Sequence, residues 1–597
     1  MVLTLTVGYP TNCASLYRLP MYTASTAFLE ALAEAGVDYL FSNFGSDHPA
    51  LIEALAEARA SGQRMPRVIT CPNEMVALTA AQGYAQVTGR AQAVIVHVEC
   101  GTQSLAGAVH NVSKGRVPVL IFAGASPFTQ FGEMKGSRNE FIQWIQDVHD
   151  QRGIVRGYMR YDAELRTGRN IKQMTFRAMQ FAHSDPKGPV YLMGAREVME
   201  EALDPAAQAG TDVTDFAPIA PAALPQDAVH ALLTDLAGAH RPLIVTSYLG
   251  RNPQAVRELQ RLVGPLGIAV LESVPNAVNL PHDDPMYQGC QWNEPRQNPL
   301  LAAADVVVVI DSDVPWIPTV SRPRSGAKIW HLDVDPLKQD MPLWSIPARR
   351  VFRVHAETAL AQLNAGLDRI TLDVARIGER RAHYSRLHGE RQAALAVAER
   401  KPAGDVLTAE YVTACVRAHV DADTIVLNEG ITNYPVVVNH IAPTRPGQML
   451  NSGGGNLGWT GGAAIGARLA DPSKTIIALT GDGSYMFSQP STVHWMARQY
   501  GTPFLQVVFN NRGWRAPRYS TLAVHPSGHA SRSDDIGVAF DPPPDYSQIA
   551  AAAGGSFARK VTHPDEVEAA IAEAMHAVKT EKRAAVLDVW LPHLMEG

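Results

Sequence analysis

Two short clusters combine hard oxygen donors with glycine in a way that suits a divalent cation held beside a diphosphate. The first is TGDGS (480–484) and the second NNRGW (510–514). An apolar run, IIALT (476–480), ends at the glycine-flanked Asp482. A second run, LQVVF (505–509), delivers two asparagines and Gly513 at its end. Both runs read as buried strands, and open α/β sheets bind ligands at the carboxyl ends of their parallel strands. Asp482, the amide oxygen of Asn511 and the main-chain carbonyl of Gly513 form a set of hard oxygen ligands. Mg2+ takes such donors and fills its remaining positions with phosphate oxygens and water. Backbone N–H groups of the glycine loop (Gly481, Gly483, Ser484) would hold the diphosphate itself. Helical pattern is expected to resume near Ser488, a suitable N-cap, with Pro490 in the first turn. A tight turn followed by a plain loop would use the same residues.

Three more stretches carry candidates. CPNEMVALTAAQGYAQVTG (71–89) opens a helix with Asn73 as N-cap and Glu74 in the first turn, where a solvated glutamate would also sit well. The other two are NSGGGNLGWTGGAAIGA (451–467) and EFIQWIQ (140–146). Together with TGDGS and NNRGW they resemble the signature of thiamine-diphosphate enzymes. The branch is the one that contains pyruvate oxidase, acetohydroxyacid synthase and benzoylformate decarboxylase, and the likeness runs from about residue 21 onward.

The resemblance implies thiamine diphosphate and Mg2+ as cofactors, with Asp482, Asn511 and Gly513 on the metal. It implies that Glu74 shares a proton with the aminopyrimidine ring, that Leu457 props the cofactor into a bent shape, and that the Gly455 carbonyl accepts from its amine. Gly430, Thr432, Asn433, Gly481, Gly483 and Ser484 complete the expected cofactor contacts. Gln143 matches an active-site glutamine. The implied chemistry is cleavage or formation of a carbon–carbon bond next to a carbonyl in a 2-oxoacid, by a decarboxylase or a carboligase. An acetolactate synthase-type transferase, a 2-hydroxyacyl-CoA lyase and a flavin-linked 2-oxoacid oxidase are the alternatives. The family architecture also implies a homo-oligomer, a dimer at least and a tetramer by expectation.

Two positions concern the substrate. FSNFGSDH (41–48) and VIVHVECGT (94–102) resemble stretches of benzoylformate decarboxylase that carry a serine and a proton-transferring histidine, matching Ser46 and His97. Ser46 could equally satisfy a turn, and a histidine at a strand end is often structural. Glu99 and Cys100 depart from that enzyme's small residues, and its second histidine is not aligned: His282 is near the position, but Asp284 fits the spacing better. The stretch 512–535 is rich in Arg and His and is expected to form a lid, in which Arg515, Arg518 and His525 could meet a substrate anion or remain solvated. YLGRNPQA (248–255) has one glycine where a GxGxxG would stand, so FAD or an adenine nucleotide is possible but unsupported.

These residues need a frame, and the pattern supplies one. Continuous Val/Ile/Leu runs alternate with amphipathic stretches in three blocks: 21–199, 227–365 and 402–597. The expected fold is α/β, with three consecutive doubly wound parallel-sheet domains (pyrimidine-binding, central and diphosphate-binding in the family's terms). An Ala/Pro-rich stretch (205–226) reads as one linker and a charged helical stretch (378–401) as the other. With 597 residues, several domains are needed to bury the chain. A net charge of −6 without a basic run gives a nucleic-acid role little electrostatic support, and no apolar run is long enough for a membrane span. Five scattered cysteines without a CxxC, and an N-terminus without a basic region, point to a cytoplasmic protein with no signal peptide.

Overall fold

The computed structural model describes residues 21–293, 295–533 and 536–596. The N-terminus read above for a signal peptide, with Cys13, lies outside them. Three parallel six-stranded sheets form in succession, each covered by helices.

The first comprises β1 (Tyr39–Ser42), β2 (Arg67–Thr70), β3 (Ala93–Val96), β4 (Val119–Ala125), β5 (Tyr161–Leu165) and β6 (Pro189–Ala195), in the order β2-β1-β3-β4-β6-β5. The second comprises β7 (Pro242–Thr246), β8 (Ala269–Ser273), β9 (Tyr287–Gln291), β10 (Val306–Ile310), β11 (Lys328–Asp333) and β12 (Arg350–Arg353). Its order is β12-β11-β10-β7-β8-β9. The third comprises β13 (Thr424–Glu429), β14 (Met449–Asn451), β15 (Thr475–Gly481), β16 (Leu505–Asn510), β17 (Phe557–Val561) and β18 (Ala585–Trp590), in the order β14-β13-β15-β16-β18-β17. The first and third sheets therefore share one strand order. In each, chain direction across the sheet reverses between its first and third strands, β1/β3 and β13/β15. That reversal opens a crevice at the strand ends.

Strands that read as unbroken apolar runs are buried along their length. Ala93–Val96, Val306–Ile310 and Leu505–Asn510 expose none of their residues, as a sheet with helices on both faces requires. The first and third domains are joined through the helices Glu74–Thr88 and Thr460–Ala470. Gly83, Gly462 and Gly466 let the two backbones touch. A Cβ on Gly466 would overlap the Ala80 carbonyl, one on Gly83 would overlap Ala463, and one on Gly462 would overlap Thr79.

Arg116 ties the first domain to the central one, with Nη1 on Asp333 at 3.1 Å and Nη2 on Asp313 at 3.0 Å. Lys338 Nζ reaches the same two carboxylates, so the buried charges neutralise one another. The stretch 205–226 holds the short helices Pro205–Gln208 and Val213–Phe216 and ends where the helix Gln226–Gly238 begins. The helix Val374–Ala398, capped by Asp373, leads to the third domain. No helix among the described residues is long and apolar enough to cross a membrane.

Candidate active site

Many of the candidate residues sit at the two equivalent crevices. In the third domain β15 ends at Gly481, and a short helix, Asp482–Phe487, starts at once. The expected start near Ser488 is thus too late. Ser488 closes the short helix, its Oγ donating to the Tyr485 carbonyl at 2.7 Å. Gln489 takes a left-handed conformation (φ 57°) and Pro490 begins the next helix, Pro490–Tyr500. The early start has a physical cause. Asp482 occupies the first turn, where its Oδ1 accepts from Gly483 N at 2.8 Å and its Oδ2 from Gly513 N at 2.9 Å. Burial nevertheless pushes its carboxyl up to about 6.

The two asparagines are split between fold and site. Asn510 Nδ2 donates to the buried Asp588 at 2.8 Å, whereas Asn511 Oδ1 is buried without a hydrogen-bond partner among the described residues. Ser484 Oγ is likewise buried and unpartnered. Arg512 between Asn511 and Gly513 has φ 60°, and Gly513 has φ 149° with no room for a Cβ beside the Val538 carbonyl. Ile431 (φ 50°), a β-branched residue in the left-handed region, follows Gly430. It opens the turn Ile431–Asn433 that carries Thr432 and Asn433.

Sequence reasoning passed over Glu429. This residue ends β13, fully buried, and accepts from the N–H groups of Gly458 (2.7 Å), Trp459 (3.0 Å) and Thr460 (2.9 Å) and from the Thr460 hydroxyl (2.9 Å). It fixes the loop with Gly455 and Leu457 to the end of the strand. The same loop is held from the first domain. Gln82 Nε2 donates to the Ser452 carbonyl (2.7 Å), Gln86 Nε2 to Asn451 (2.8 Å), and Asn111 pairs both ways with the Asn456 backbone at 2.9 Å. An acid at the end of a buried strand was the available signal for Glu429.

In the first domain, Asn73 caps the helix Glu74–Thr88 as expected, its side chain accepting from Val76 N at 3.1 Å. Glu74 is buried, not solvated, and its Oε1 accepts from Asn43 Nδ2 at 2.8 Å. Across the β1/β3 crevice, His97 follows the last residue of β3. Its Nδ1 lies 2.5 Å from Asp47 Oδ1 and its Nε2 3.1 Å from Gln146 Oε1. Neither partner was singled out from the sequence. Asp47 is buried, accepts from Val98 N at 3.1 Å, and lies 3.2 Å from His48 Nδ1. Its neighbour Ser46 has a buried Oγ with no partner among the described residues. Gln143 is buried within its own loop, where its amide oxygen accepts from Asn139 N at 2.9 Å.

Other candidates sit elsewhere. His282 is packed in the central domain, stacked on Tyr287 at 4.0 Å between ring centroids, and burial lowers its pKa. The Cys100 thiol donates to Glu99 Oε1 at 2.9 Å, and that bond with burial pushes it up to about 11, which leaves it a poor nucleophile. In 512–535 a helix forms over Arg515–Val524 with His525 at its end. Arg515 Nη2 lies within 3.4 Å of the His593 carbonyl, while Nε and Nη1 of Arg518 are buried without partners among the described residues.

A cavity of about 980 Å3 lies where the three domains meet, lined in part by Tyr248, Arg251, Asp311 and His355. The turn that would face a nucleotide diphosphate is bonded internally. Ser247 N and Tyr248 N both donate to the Asp311 carbonyl, Gly250 N donates to Asn279, and Gln254 N to Asn252. Arg251 is engaged with Asp185 at 3.4 Å. The N–H groups of this turn are thus taken up within the chain.

Sequence comparison agrees with the geometry over all three sheets. The profile described as thiamine pyrophosphate enzyme, N-terminal TPP binding domain, matches residues 22–154. The central-domain profile matches 229–341 and the C-terminal TPP binding domain profile 430–589. The chain belongs to the thiamine pyrophosphate enzyme family. Similar proteins in this thiamine pyrophosphate enzyme family include a probable acetolactate synthase of Oryza sativa subsp. japonica, 26% identical over 99% of this chain and 86% of the relative. A benzoylformate decarboxylase of Pseudomonas aeruginosa is 24% identical over 84% and 88%. A probable 2-ketoarginine decarboxylase of the same organism is 24% identical over 86% and 87%. A solved Rhodococcus jostii thiamine diphosphate-dependent 4-hydroxybenzoylformate decarboxylase shares the fold, with TM-score 0.76 at 20% identity over 96% of this chain and 99% of that one. For a thiamine pyrophosphate enzyme, the buried and unpartnered Asn511 Oδ1 and Ser484 Oγ beside Asp482 fit a cofactor diphosphate and its cation.

Proposed function

We propose that this enzyme decarboxylates a 2-oxoacid, with His97 delivering the proton that completes the product. The observation that carries the reading is the position of His97. It is an ionisable ring at the crevice between β1 and β3, 24% exposed and bonded to a buried carboxylate. When bound, thiamine diphosphate supplies the nucleophilic carbon and the electron sink through which the bond next to the carbonyl breaks. The chain's own residues orient the cofactor and move protons around it. Asp482, Asn511 and the Gly513 carbonyl would hold Mg2+, which binds hard oxygen donors and bridges phosphates. The glycine turn and Ser484 would hold the diphosphate, and Gly430, Thr432 and Asn433 would line it. Leu457 and the Gly455 carbonyl would set the cofactor's shape and amine contact. Glu74, shielded from water and bonded to Asn43, would share a proton with the aminopyrimidine ring. Ser46, with its unpartnered hydroxyl, would meet the substrate, and Gln143 would brace the loop above it.

The reading includes a homo-oligomer with sites shared between subunits. Exposed apolar side chains gather next to each half-site. Phe128, Phe131, Phe141, Trp144 and Ile145 lie on the segment that carries Gln146, and Met486, Phe487, Trp514, Tyr519 and Val524 flank Asp482 and Asn511. Phe131 is 85% exposed. A second copy covering these residues would join a first-domain half-site to a third-domain half-site, giving a dimer at least and a tetramer by two such pairings. The domain extents 21–199, 227–365 and 402–597 and a cytoplasmic location belong to the same reading.

The test is a panel of 2-oxoacids with added thiamine diphosphate and Mg2+, following CO2 and aldehyde together. Decarboxylation predicts both in equal amounts, and His97→Ala should slow aldehyde release by about 10²–10⁴. A ligated 2-hydroxyketone formed at an undiminished rate by His97→Ala would replace decarboxylation with carboligation. An enzyme with full rate in both assays would remove His97 from the chemistry.

A further inference from the structure

Both ring nitrogens of His97 face a side chain, and the surroundings are built to keep them there. Gly45 and Gly124 make the space. A Cβ on Gly45 would overlap His97 Nδ1, and one on Gly124 would overlap Asp47 Oδ2. The backbone bends to fit as well. Val98, the next residue, has φ 33°, a left-handed value that is costly for a β-branched residue. Its N–H is the second donor to Asp47, at 3.1 Å. Two glycines and one strained valine thus serve a single carboxylate–imidazole contact.

A carboxylate oxygen can only accept, so Nδ1 of His97 carries a proton in this contact. Nε2 faces Gln146, whose Nε2 is buried with no partner among the described residues. Gln146 can therefore meet His97 in either state. With Oε1 forward, the amide accepts from a protonated ring. Turned by half a rotation, it donates through Nε2 to a neutral one. An amide's two ends are interchangeable in shape, so this exchange needs no change in packing.

We propose that Asp47 is the positioning residue for His97, fixing the proton on Nδ1 so that Nε2 is the nitrogen that gives up and regains the catalytic proton, with Gln146 as its reversible partner. This rests on the reading that His97 moves a proton at the site. In the resting state the ring is an imidazolium bonded to Asp47 and to Gln146 Oε1. On reaction the Nε2 proton passes to the substrate carbon that has lost CO2, and the N–H electron pair stays on nitrogen. The ring is left as the Nδ1–H tautomer, and Gln146 turns to donate to it. A proton from solvent then restores the imidazolium, which matches the one proton a 2-oxoacid consumes on conversion to CO2 and aldehyde. The charged groups that face His97 are Asp47 and Glu74, both of which favour the protonated ring, while burial opposes it. His48 adds its influence through Asp47, and its own buried ring is held toward the neutral form.

The experiment follows the His97 ring directly by NMR in holoenzyme labelled at histidine Cε1, the signal being assigned by its loss in His97→Gln. In the unaltered chain the His97 midpoint should lie above that of a free histidine, about 6.5. Asp47→Asn, which retains an oxygen for Val98 N–H, should lower that midpoint by about one pH unit or more, since one unit is the tenfold change expected on losing a bonded charge. The alkaline limb of kcat should move down by the same amount, because a general acid is lost as pH rises through its pKa. Gln146→Glu, a fixed acceptor, should move the midpoint up. An unchanged midpoint in Asp47→Asn, or a lowered one in Gln146→Glu, overturns the proposal whatever the activity. Full activity in His97→Ala would instead overturn the functional reading and leave the titration result to stand by itself.

Discussion

Asn510 and Asn511 are neighbours in sequence with opposite duties: Asn510 bonds Asp588 on the adjacent strand β18, while Asn511 presents a buried amide oxygen that none of the described residues takes up. The difference separates their expected phenotypes. Asn511→Ala should leave the melting temperature of the cofactor-free protein nearly unchanged and abolish the increase that Mg2+ plus thiamine diphosphate gives. Asn510→Ala should lower the cofactor-free melting point, since an unpaired buried Asp588 costs about 1–3 kcal/mol. Equal losses in both would contradict the division.

Chelation offers a second check on the same site. Treatment with a chelator should remove activity, and Mg2+ with thiamine diphosphate should restore it. Glu74→Ala should still bind the cofactor and should exchange the cofactor's C2 proton slowly. Rapid exchange followed by NMR would show that Glu74 has no part in proton sharing.

Glu429 gives a prediction about pH. Burial pushes its carboxyl up to about 7, against 4.5 for an ordinary glutamate. A raised folded-state pKa means stability that is fully present below about 4.5 and is lost as pH rises through about 7. The span corresponds to about 3 kcal/mol, an upper figure because four donors to the carboxylate work against it. Compared with Glu429→Gln, the unaltered protein should therefore lose relative stability between pH 5 and pH 8. Parallel denaturation curves for the pair across that range would expose the opposite trend if ionised Glu429 is the stable form.

Subunit sharing can be tested by mixing. Glu74→Ala and Asp482→Ala should each be inactive, and a mixture dissociated and reassembled should recover part of the activity through hybrid sites. An active monomer in sedimentation, or no recovery from a mixture shown to exchange subunits, would count against shared sites.

Much of this frame was legible beforehand because its signals are local. The runs IIALT and LQVVF became β15 and β16, Asn73 did cap its helix, and the two linkers contain no strand. What stayed hidden depends on contacts between distant residues. Asp47 stands beside Ser46, which attracted attention by resemblance, yet its role comes from His97, fifty positions away and just past the end of β3. Gln146 and Gln143 sit one helical turn apart in the same segment, and only packing decides which reaches the histidine. Glu429 looked like the last residue of a strand, since its donors come from a loop that begins after β14. The helix start was misplaced because Ser488 and Pro490 have strong local preferences, whereas Asp482 begins its helix with help from Gly513, across the sheet.

The glycine contacts between Glu74–Thr88 and Thr460–Ala470 carry a mechanical consequence. With Ala80 against Gly466 and Ala463 against Gly83, backbone meets backbone, and neither helix has side-chain slack through which to slide or roll. The pair acts as a locked axle between the domains that bear Glu74 and Asp482. Any motion that admits substrate would have to come from parts mounted off that axle. Gly466→Val should seize or split the axle, and no change at the rim should loosen it.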